Sequence, residues 1–184
     1  MSNPNNTITT ARNFLKEKIN SLKKDCEQCL FSKHPAPFPA LLYCFSVIDL
    51  LGALFSGNAE DSAPTTQQSK DFITGVMKYP DEVAELMQKV FRHKLVHLAQ
   101  PNPMTKYKGK QYLWWFCHES NRNKHLKIEP TDQKGEFWFR ISLWDFVEDI
   151  EDSVFGSNGY MNLLLKNVGN SQDNFEKAYK KIHG

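Results

Sequence analysis

The chain has 184 residues, of which 40% are hydrophobic and 24% are charged, and its formal net charge at pH 7 is +2. This length and composition fit one domain with a real hydrophobic core, and the nearly balanced charge excludes net charge as a guide to a partner. Residues 1–7 are polar and lack the apolar segment of a secretory signal, and the four cysteines show no disulfide spacing. We therefore expect a cytoplasmic protein rather than a secreted one.

The first predicted element is a long amphipathic helix over residues 9–31. Its apolar residues recur at three- and four-residue steps, at Ile8, Ala11, Leu15, Ile19, Leu22, Cys26 and Cys29. Because Cys26 and Cys29 both fall on this stripe, we interpret them as core residues rather than as a redox or zinc motif. The three prolines between residues 35 and 39 then predict a helix break and a stiff connector.

Residues 38–55 form the most apolar stretch, which is typical of a membrane span or of the central helix of a bundle. The stretch is short for a span and carries Asp49 near its middle, so we predict a buried helix and no membrane partner. A buried carboxylate needs a hydrogen-bond or ionic partner. Two candidates for Asp49 stay open: Arg92, whose guanidinium the carboxylate would orient, and a nearby hydroxyl such as that of Ser46 or Tyr43.

A polar loop is predicted over residues 57–69, where turn-forming residues are frequent. Ser69 is then expected to cap a short helix that ends at Tyr79. The residues expected to face inward from this helix are Phe72, Val76 and Met77.

A strongly helical run follows Pro80 and extends to Leu98, with its apolar face at Val83, Leu86, Met87, Val90 and Phe91. Its last turns contain Arg92, His93 and His97. The two histidines are four residues apart, so on an unbroken helix they share one face, with Arg92 beside them. Histidine transfers protons near neutral pH, and the planar arginine cation matches a phosphate. The combination suits metal-free RNA cleavage, in which the 2′-oxygen attacks the phosphate and leaves a cyclic phosphate end.

The sequence Arg92-His93-x-x-x-His97 resembles the Arg-polar-x3-His signature of HEPN-domain ribonucleases. These are helical-bundle proteins of toxin–antitoxin, abortive-infection and CRISPR-associated defence systems. The resemblance implies RNA cleavage without a metal or other cofactor at a homodimer interface, with one signature from each chain, and it leaves room for an antitoxin or defence partner. Arg92 and His97 match the two defining positions, and His93 matches the polar second position. Leu98 stands where some toxin members carry a modified tyrosine, which argues against that form of regulation.

Other interpretations of these residues stay open. The cationic side chains could be solvated and favoured simply by the dipole at the helix end. His93 and His97 could form a metal pair in a hydrolase, but Lys94 stands where zinc proteases of the His-Glu-x-x-His type carry the glutamate base. A non-catalytic module for binding RNA or nucleotides, or for protein assembly, would use the same basic surface.

Aromatic and β-branched residues predict a three-stranded antiparallel meander, with strands at residues 112–118, 125–129 and 136–143. One face of the last strand, Phe137, Phe139 and Ile141, is expected to point inward, and the small sheet should pack on the helices. Basic residues dominate from residue 92 to residue 127, with aromatic residues between them. Lysines in such a region attract RNA phosphates, and the predicted RNA-binding set is Lys94, Lys106, Lys108 and Lys110.

Ser142 is predicted to cap a further helix, whose acidic early half should face water or a basic patch on a partner. A helix over residues 160–167 and a short basic tail over residues 173–182 complete the chain. The predicted class is α+β and mainly α, in one domain over residues 1–184. It comprises an antiparallel helical bundle over residues 1–100, the meander over residues 106–143 and C-terminal helices over residues 144–184.

Overall fold

Helices make up both ends of the described part of the chain, and a small β-sheet lies between them in sequence. The computed structural model describes residues 4–92 and 104–184, and it confirms the predicted α+β class. The first helices are α1 (Pro4–Phe31), α2 (Pro37–Ser56), α3 (Thr65–Gly75) and α4 (Asp81–Leu86), which continues into a π-helical segment (Met87–Arg92). The strands are β1 (Met104–Tyr107), β2 (Lys110–Cys117), β3 (Ile128–Pro130) and β4 (Glu136–Ser142). The last helices are α5 (Leu143–Phe155), α6 (Tyr160–Lys166) and α7 (Ser171–His183), with a 3-10 turn (Val168–Asn170) before α7.

Helix α1 buries the predicted apolar stripe against its neighbours. Five stripe residues are buried and the two outermost, Ile8 and Cys29, are partly buried. The Cys26 thiol donates a hydrogen bond to the Ala40 carbonyl at 3.8 Å. The interpretation of the two cysteines as core residues is therefore confirmed, although the helix begins at Pro4 rather than at residue 9.

Helix α2 is the central helix of the molecule. It is the one helix within residues 4–92 and 104–184 that is long and apolar enough to cross a membrane, and half of its apolar window is buried in the fold. It packs against α1, α3, α5 and α7, so its interpretation as a buried helix is confirmed. The predicted connector is wrong at Pro37 and Pro39, which lie in the first turn of α2. A helix accepts proline there because the first backbone N–H groups need no partner within the helix.

Helices α2 and α3 approach each other at Gly52. A Cβ atom built there would lie 2.8 Å from the backbone of Gln68, so only glycine fits the contact. The loop after α2 is shorter than the predicted range of residues 57–69, because α3 already begins at Thr65 and includes Ser69. Ser69 is therefore not a helix cap, and the helix ends at Gly75 rather than at Tyr79. Of the residues predicted to face inward, two are buried and the third is partly buried: Phe72, Val76 and Met77.

The helix after Pro80 changes type along its length. It is α-helical only to Leu86 and π-helical from Met87 to Arg92, so the prediction of one regular α-helix is wrong between Met87 and Arg92. The rest of the predicted helix, residues 93–98, lies outside the described residues. A π-helical turn contains more residues than an α-helical turn, and such segments are frequent at functional sites. The predicted apolar face is nevertheless confirmed at Val83, Leu86, Met87 and Val90, which are all buried, and the side chain of Phe91 lies outside the described part of the structure.

The sheet is mixed and has the strand order β1-β2-β4-β3. Strand β2 pairs with β4 in parallel, and the other two pairings are antiparallel. The predicted three-stranded antiparallel meander is therefore wrong, because β1 was missed and β4 lies between β2 and β3. The predicted inward face is confirmed, since Phe139 and Ile141 are buried and Phe137 packs against the core. The buried Tyr112 ties this face to α4 by donating a hydrogen bond to Glu82 at 2.6 Å.

The C-terminal segments contribute more to the core than predicted. Residues 173–182 are not a tail but most of α7, which buries Phe175 and Ala178 and packs against α1 and α2. Ser142 precedes α5 but makes no side-chain cap hydrogen bond. The acidic half of α5 does not simply face water, because Asp145 is fully buried.

Candidate functional site

Arg92 is the last residue of the π-helical segment, and the structure describes only its backbone. His93, Lys94 and His97 lie outside the described residues, so the roles assigned to them stay predictions. Within residues 4–92 and 104–184, no group of three or more His, Cys, Asp or Glu side chains is placed to hold a metal ion.

Asp49 lies on α2 and is partly buried rather than fully buried as predicted. Its carboxylate accepts a hydrogen bond from the Ser69 hydroxyl at 2.5 Å. A hydroxyl partner was one of the two candidates, but the hydroxyls of Ser46 and Tyr43 donate to other groups. The pairing of Asp49 with Arg92 stays a prediction, and Ser69 is the neighbour that the sequence did not indicate.

Three of the predicted RNA-binding lysines lie on the hairpin formed by β1 and β2. Lys108 and Gly109 form its two-residue turn with φ angles of 46° and 76°, the backbone conformation that tight hairpins favour. Lys106 and Lys108 are exposed. Lys110 differs, because its ammonium lies 3.0 Å from the Glu82 carboxylate. The positive charge available to a ligand is therefore concentrated on the first two lysines.

The ring of Tyr107 connects this hairpin to the π-helical segment. The Lys89 ammonium lies 5.0 Å from the centre of the ring, and the Lys108 ammonium also lies 5.0 Å from it. Both are within the range of a cation–π interaction. The contact places the hairpin lysines beside the segment that ends at Arg92.

A second polar cluster surrounds Asp149 on α5, and sequence reasoning missed it. The Asp149 carboxylate accepts hydrogen bonds from the Tyr79 hydroxyl and the Arg122 guanidinium. The His125 Nε2 atom lies 3.1 Å from the same carboxylate. The His125 Nδ1 atom accepts a hydrogen bond from the backbone N–H of Ser142 at 3.0 Å. A neutral His125 ring therefore carries its hydrogen on Nε2, and this N–H group donates a hydrogen bond to Asp149.

The loop before β3 is held to α5 by the same cluster. The buried carboxylate of Asp145 accepts hydrogen bonds from the Ser120 hydroxyl at 2.5 Å and from the Asn121 backbone N–H at 2.6 Å. The Arg122 Nε atom lies 3.2 Å from Asp145, and its guanidinium also donates to Glu148 at 2.7 Å. The prediction that the acids of this half-helix face water or a partner is therefore wrong for Asp145 and Asp149, whereas Glu148 remains partly exposed. The sequence contained a signal for this burial: Asp145 and Asp149 are four residues apart and therefore share the side of the helix on which Phe146 is buried.

A cavity of about 350 Å³ lies beside this cluster and is lined partly by Tyr79, Asp149 and Asp152. Burial raises the pKa of the Asp149 carboxyl, but the hydrogen bonds from His125, Tyr79 and Arg122 together lower it by more than burial raises it. The pKa of Asp149 is therefore below its usual value. Burial and the hydrogen bond to Asp149 raise the pKa of the Tyr79 hydroxyl. Three donors thus converge on one carboxylate, an arrangement suited to clamping the loop onto α5.

The stability of the protein is expected to fall in acid through Asp149. Its pKa is lower in the folded chain than in the unfolded chain, where it is about 3.9. The stabilisation that ionised Asp149 contributes is therefore complete above its pKa in the unfolded chain, and it is lost as the pH falls through its pKa in the folded chain. Urea unfolding of the wild type and of Asp149→Asn should give a stability difference that narrows below about pH 4. The exposed control Asp132→Asn should show no comparable convergence, and a constant difference for Asp149→Asn would contradict the expectation.

Comparisons of the chain with models of known protein families, with curated proteins and with solved structures found no match.

Proposed function

We propose that the protein is a metal-independent endoribonuclease of HEPN type that acts in the cytoplasm as part of a bacterial toxin or defence system. In this proposal Arg92 stabilises the charge that develops on the phosphate, and His97 moves the proton. His93 assists, and Asp49 orients Arg92. The signatures of two chains form one composite site, because a single signature offers few proton-transfer groups. An antitoxin or defence protein would then regulate the dimer.

The contact between Lys89 and Tyr107 is the observation that carries this proposal. Lys89 lies three residues before Arg92, and its ammonium is 5.0 Å from the Tyr107 ring of the hairpin. Two exposed lysines, Lys106 and Lys108, flank Tyr107 in the chain. The described structure thus supports a positively charged surface next to the π-helical segment that ends at Arg92, where an RNA backbone would be attracted.

A second candidate is a non-catalytic RNA-binding module. It is favoured by the same hairpin, because exposed lysines attract phosphate whether or not a catalytic group is nearby. The two candidates differ in one property, which is whether the bound RNA is cut.

RNA cleavage in excess EDTA tests the proposal. The purified chain should cut single-stranded RNA and leave 2′,3′-cyclic phosphate ends, since the 2′-hydroxyl is the nucleophile. The same oligonucleotide with 2′-O-methyl groups should bind but remain uncut, because the nucleophile is blocked. Binding of the unmodified RNA without cleavage by a folded dimer would favour the second candidate. Cleavage of the methylated strand at the same positions would contradict the 2′-hydroxyl mechanism.

A further inference from the structure

The two faces of the sheet differ in what covers them. Side chains alternate along a strand, and Tyr112 and Trp114 of β2 are buried on the face toward the helices. Leu113 and Trp115 therefore lie on the opposite face, which we call the outer face. The register places Trp138 of β4 beside Leu113, and it places Arg140 beside Trp115.

The outer face exposes aromatic surface. Trp115 is 55% exposed, the largest value among the exposed large hydrophobic residues of the described chain. Trp138 is partly buried and lies on the neighbouring strand β4, two residues before Arg140, the residue paired with Trp115. The Arg140 guanidinium is 4.9 Å from the Trp138 ring. An exposed indole next to a second ring and an arginine is the combination that stacks on planar bases.

Positive charge accompanies these rings. Lys106 of β1 pairs with Gln111 of β2 in the register, which places Lys106 on the outer face. Lys108 lies at the hairpin turn, at the edge of this face, and its ammonium is 5.0 Å from the Tyr107 ring. No ion pair holds either lysine in the part of the chain that the structure describes. The acids of this face are occupied: Glu129 pairs with Arg140 at 3.0 Å. Glu136 is only 8% exposed and accepts a hydrogen bond from Gln111 at 2.9 Å.

We propose that the outer face binds single-stranded RNA, with bases stacked on Trp115 and Trp138 and phosphates drawn to Lys106 and Lys108. Unpaired bases present the planar faces that indoles stack on, whereas a duplex keeps its bases stacked inside and offers mainly its backbone. The choice of RNA rests on the proposed ribonuclease function. The inference deepens that function by naming unpaired nucleotides as the part of the substrate that the sheet holds.

Fluorescence anisotropy with a labelled twelve-nucleotide 2′-O-methyl oligouridine tests the inference, because that strand cannot be cut. Trp115→Ala should raise the Kd roughly five- to 150-fold, the usual effect of losing one stacked base. Its salt dependence should stay as in the wild type, because no phosphate contact is removed. A Lys106→Gln/Lys108→Gln double variant should instead reduce the slope of log K against log salt by about 1.4, or 0.7 for each phosphate.

The matched control is Phe31→Ala on α1, because Phe31 is 54% exposed and lies outside the sheet. It should bind the oligonucleotide as the wild type does. Trp115→Ala should also leave the weaker binding of an RNA duplex unchanged. Wild-type affinity of Trp115→Ala for the single strand would overturn the inference. A change in the oligomeric state of Trp115→Ala, without a change in RNA affinity, would overturn it in favour of a protein interface.

The outcome separates this inference from the proposed function. If the wild type cuts RNA in EDTA and Trp115→Ala binds normally, the ribonuclease proposal stands and the outer face is not the binding surface. If Trp115→Ala loses affinity and the wild type never cuts RNA, the outer face stands and the ribonuclease proposal fails. A wild-type chain that binds no single-stranded RNA overturns the inference outright.

Discussion

Replacing His97 with alanine is expected to reduce the rate of RNA cleavage by about 10²–10⁴-fold, the usual contribution of a general acid or base. The affinity for uncleavable RNA should change little, since the groups proposed to bind RNA on the sheet and hairpin remain. Single-turnover cleavage in EDTA with saturating protein measures the chemical step. A rate loss without a loss of affinity would place His97 in the chemistry rather than in substrate binding.

Substitutions at neighbouring positions sharpen this test. Arg92→Ala should lose about 10²–10³-fold in rate, the effect of removing one charge-stabilising donor. Arg92→Lys should recover part of that loss, because it keeps the charge but not the planar fork. His34→Ala is the matched control, since His34 is exposed in the turn between α1 and α2. If the His97→Ala variant cut RNA at the wild-type rate, the proposed catalytic role of His97 would be contradicted.

Replacing Asp149 with alanine is expected to lower the free energy of unfolding by about 2–4 kcal/mol. The hydrogen bonds from the buried His125 and the partly buried Tyr79 would both lose their acceptor. A buried donor left unpaired costs about 1–3 kcal/mol, and the cost is at the low end of that range for Tyr79, which water can partly reach. The Arg122 side chain is 47% exposed, so its ion pair adds less than a buried pair would. Urea unfolding followed by circular dichroism measures the change.

Asp152 provides the control for this substitution. It lies on the same helix three residues after Asp149, and it is exposed. Asp152→Ala should change the free energy of unfolding by less than about 0.5 kcal/mol, as most exposed substitutions do. Equal stability of the two variants would show that the cluster around Asp149 does not hold the loop onto α5.

Periodic patterns predicted the helical part of the fold well. The stripe of α1 and the apolar stretch of α2 are buried as predicted, and alternation identified the inward face of β4. These predictions succeeded because burial of one face imprints a local period on the sequence. The helix after Pro80 shows the limit of such patterns. Its apolar spacing is compatible with a helix, but the change to π-helical geometry at Met87 leaves no separate signal in the sequence.

The residues of the candidate site also fall into those that local sequence patterns identify and those that depend on tertiary contacts. The Arg92-His93-x-x-x-His97 motif and the lysines of the hairpin can be found by reading the chain. The reduced availability of Lys110 cannot, because its partner Glu82 is 28 residues away. Alternation also predicts that Trp114 and Trp115 point to opposite faces. Which of them faces solvent depends on the packing of the sheet against the helices.

The sequence by itself determined the mainly helical class of this protein, the burial of α2 and the basic character of residues 106–110, because each follows from composition or local spacing. Only the tertiary structure decided the strand order, the exposure of Trp115 and the cluster around Asp149. The reason is physical: hydrophobic spacing shows which face of an element is buried but not what covers it. The hydrogen bond from Tyr79 to Asp149 joins residues 70 positions apart, and such a contact exists only after the elements have packed.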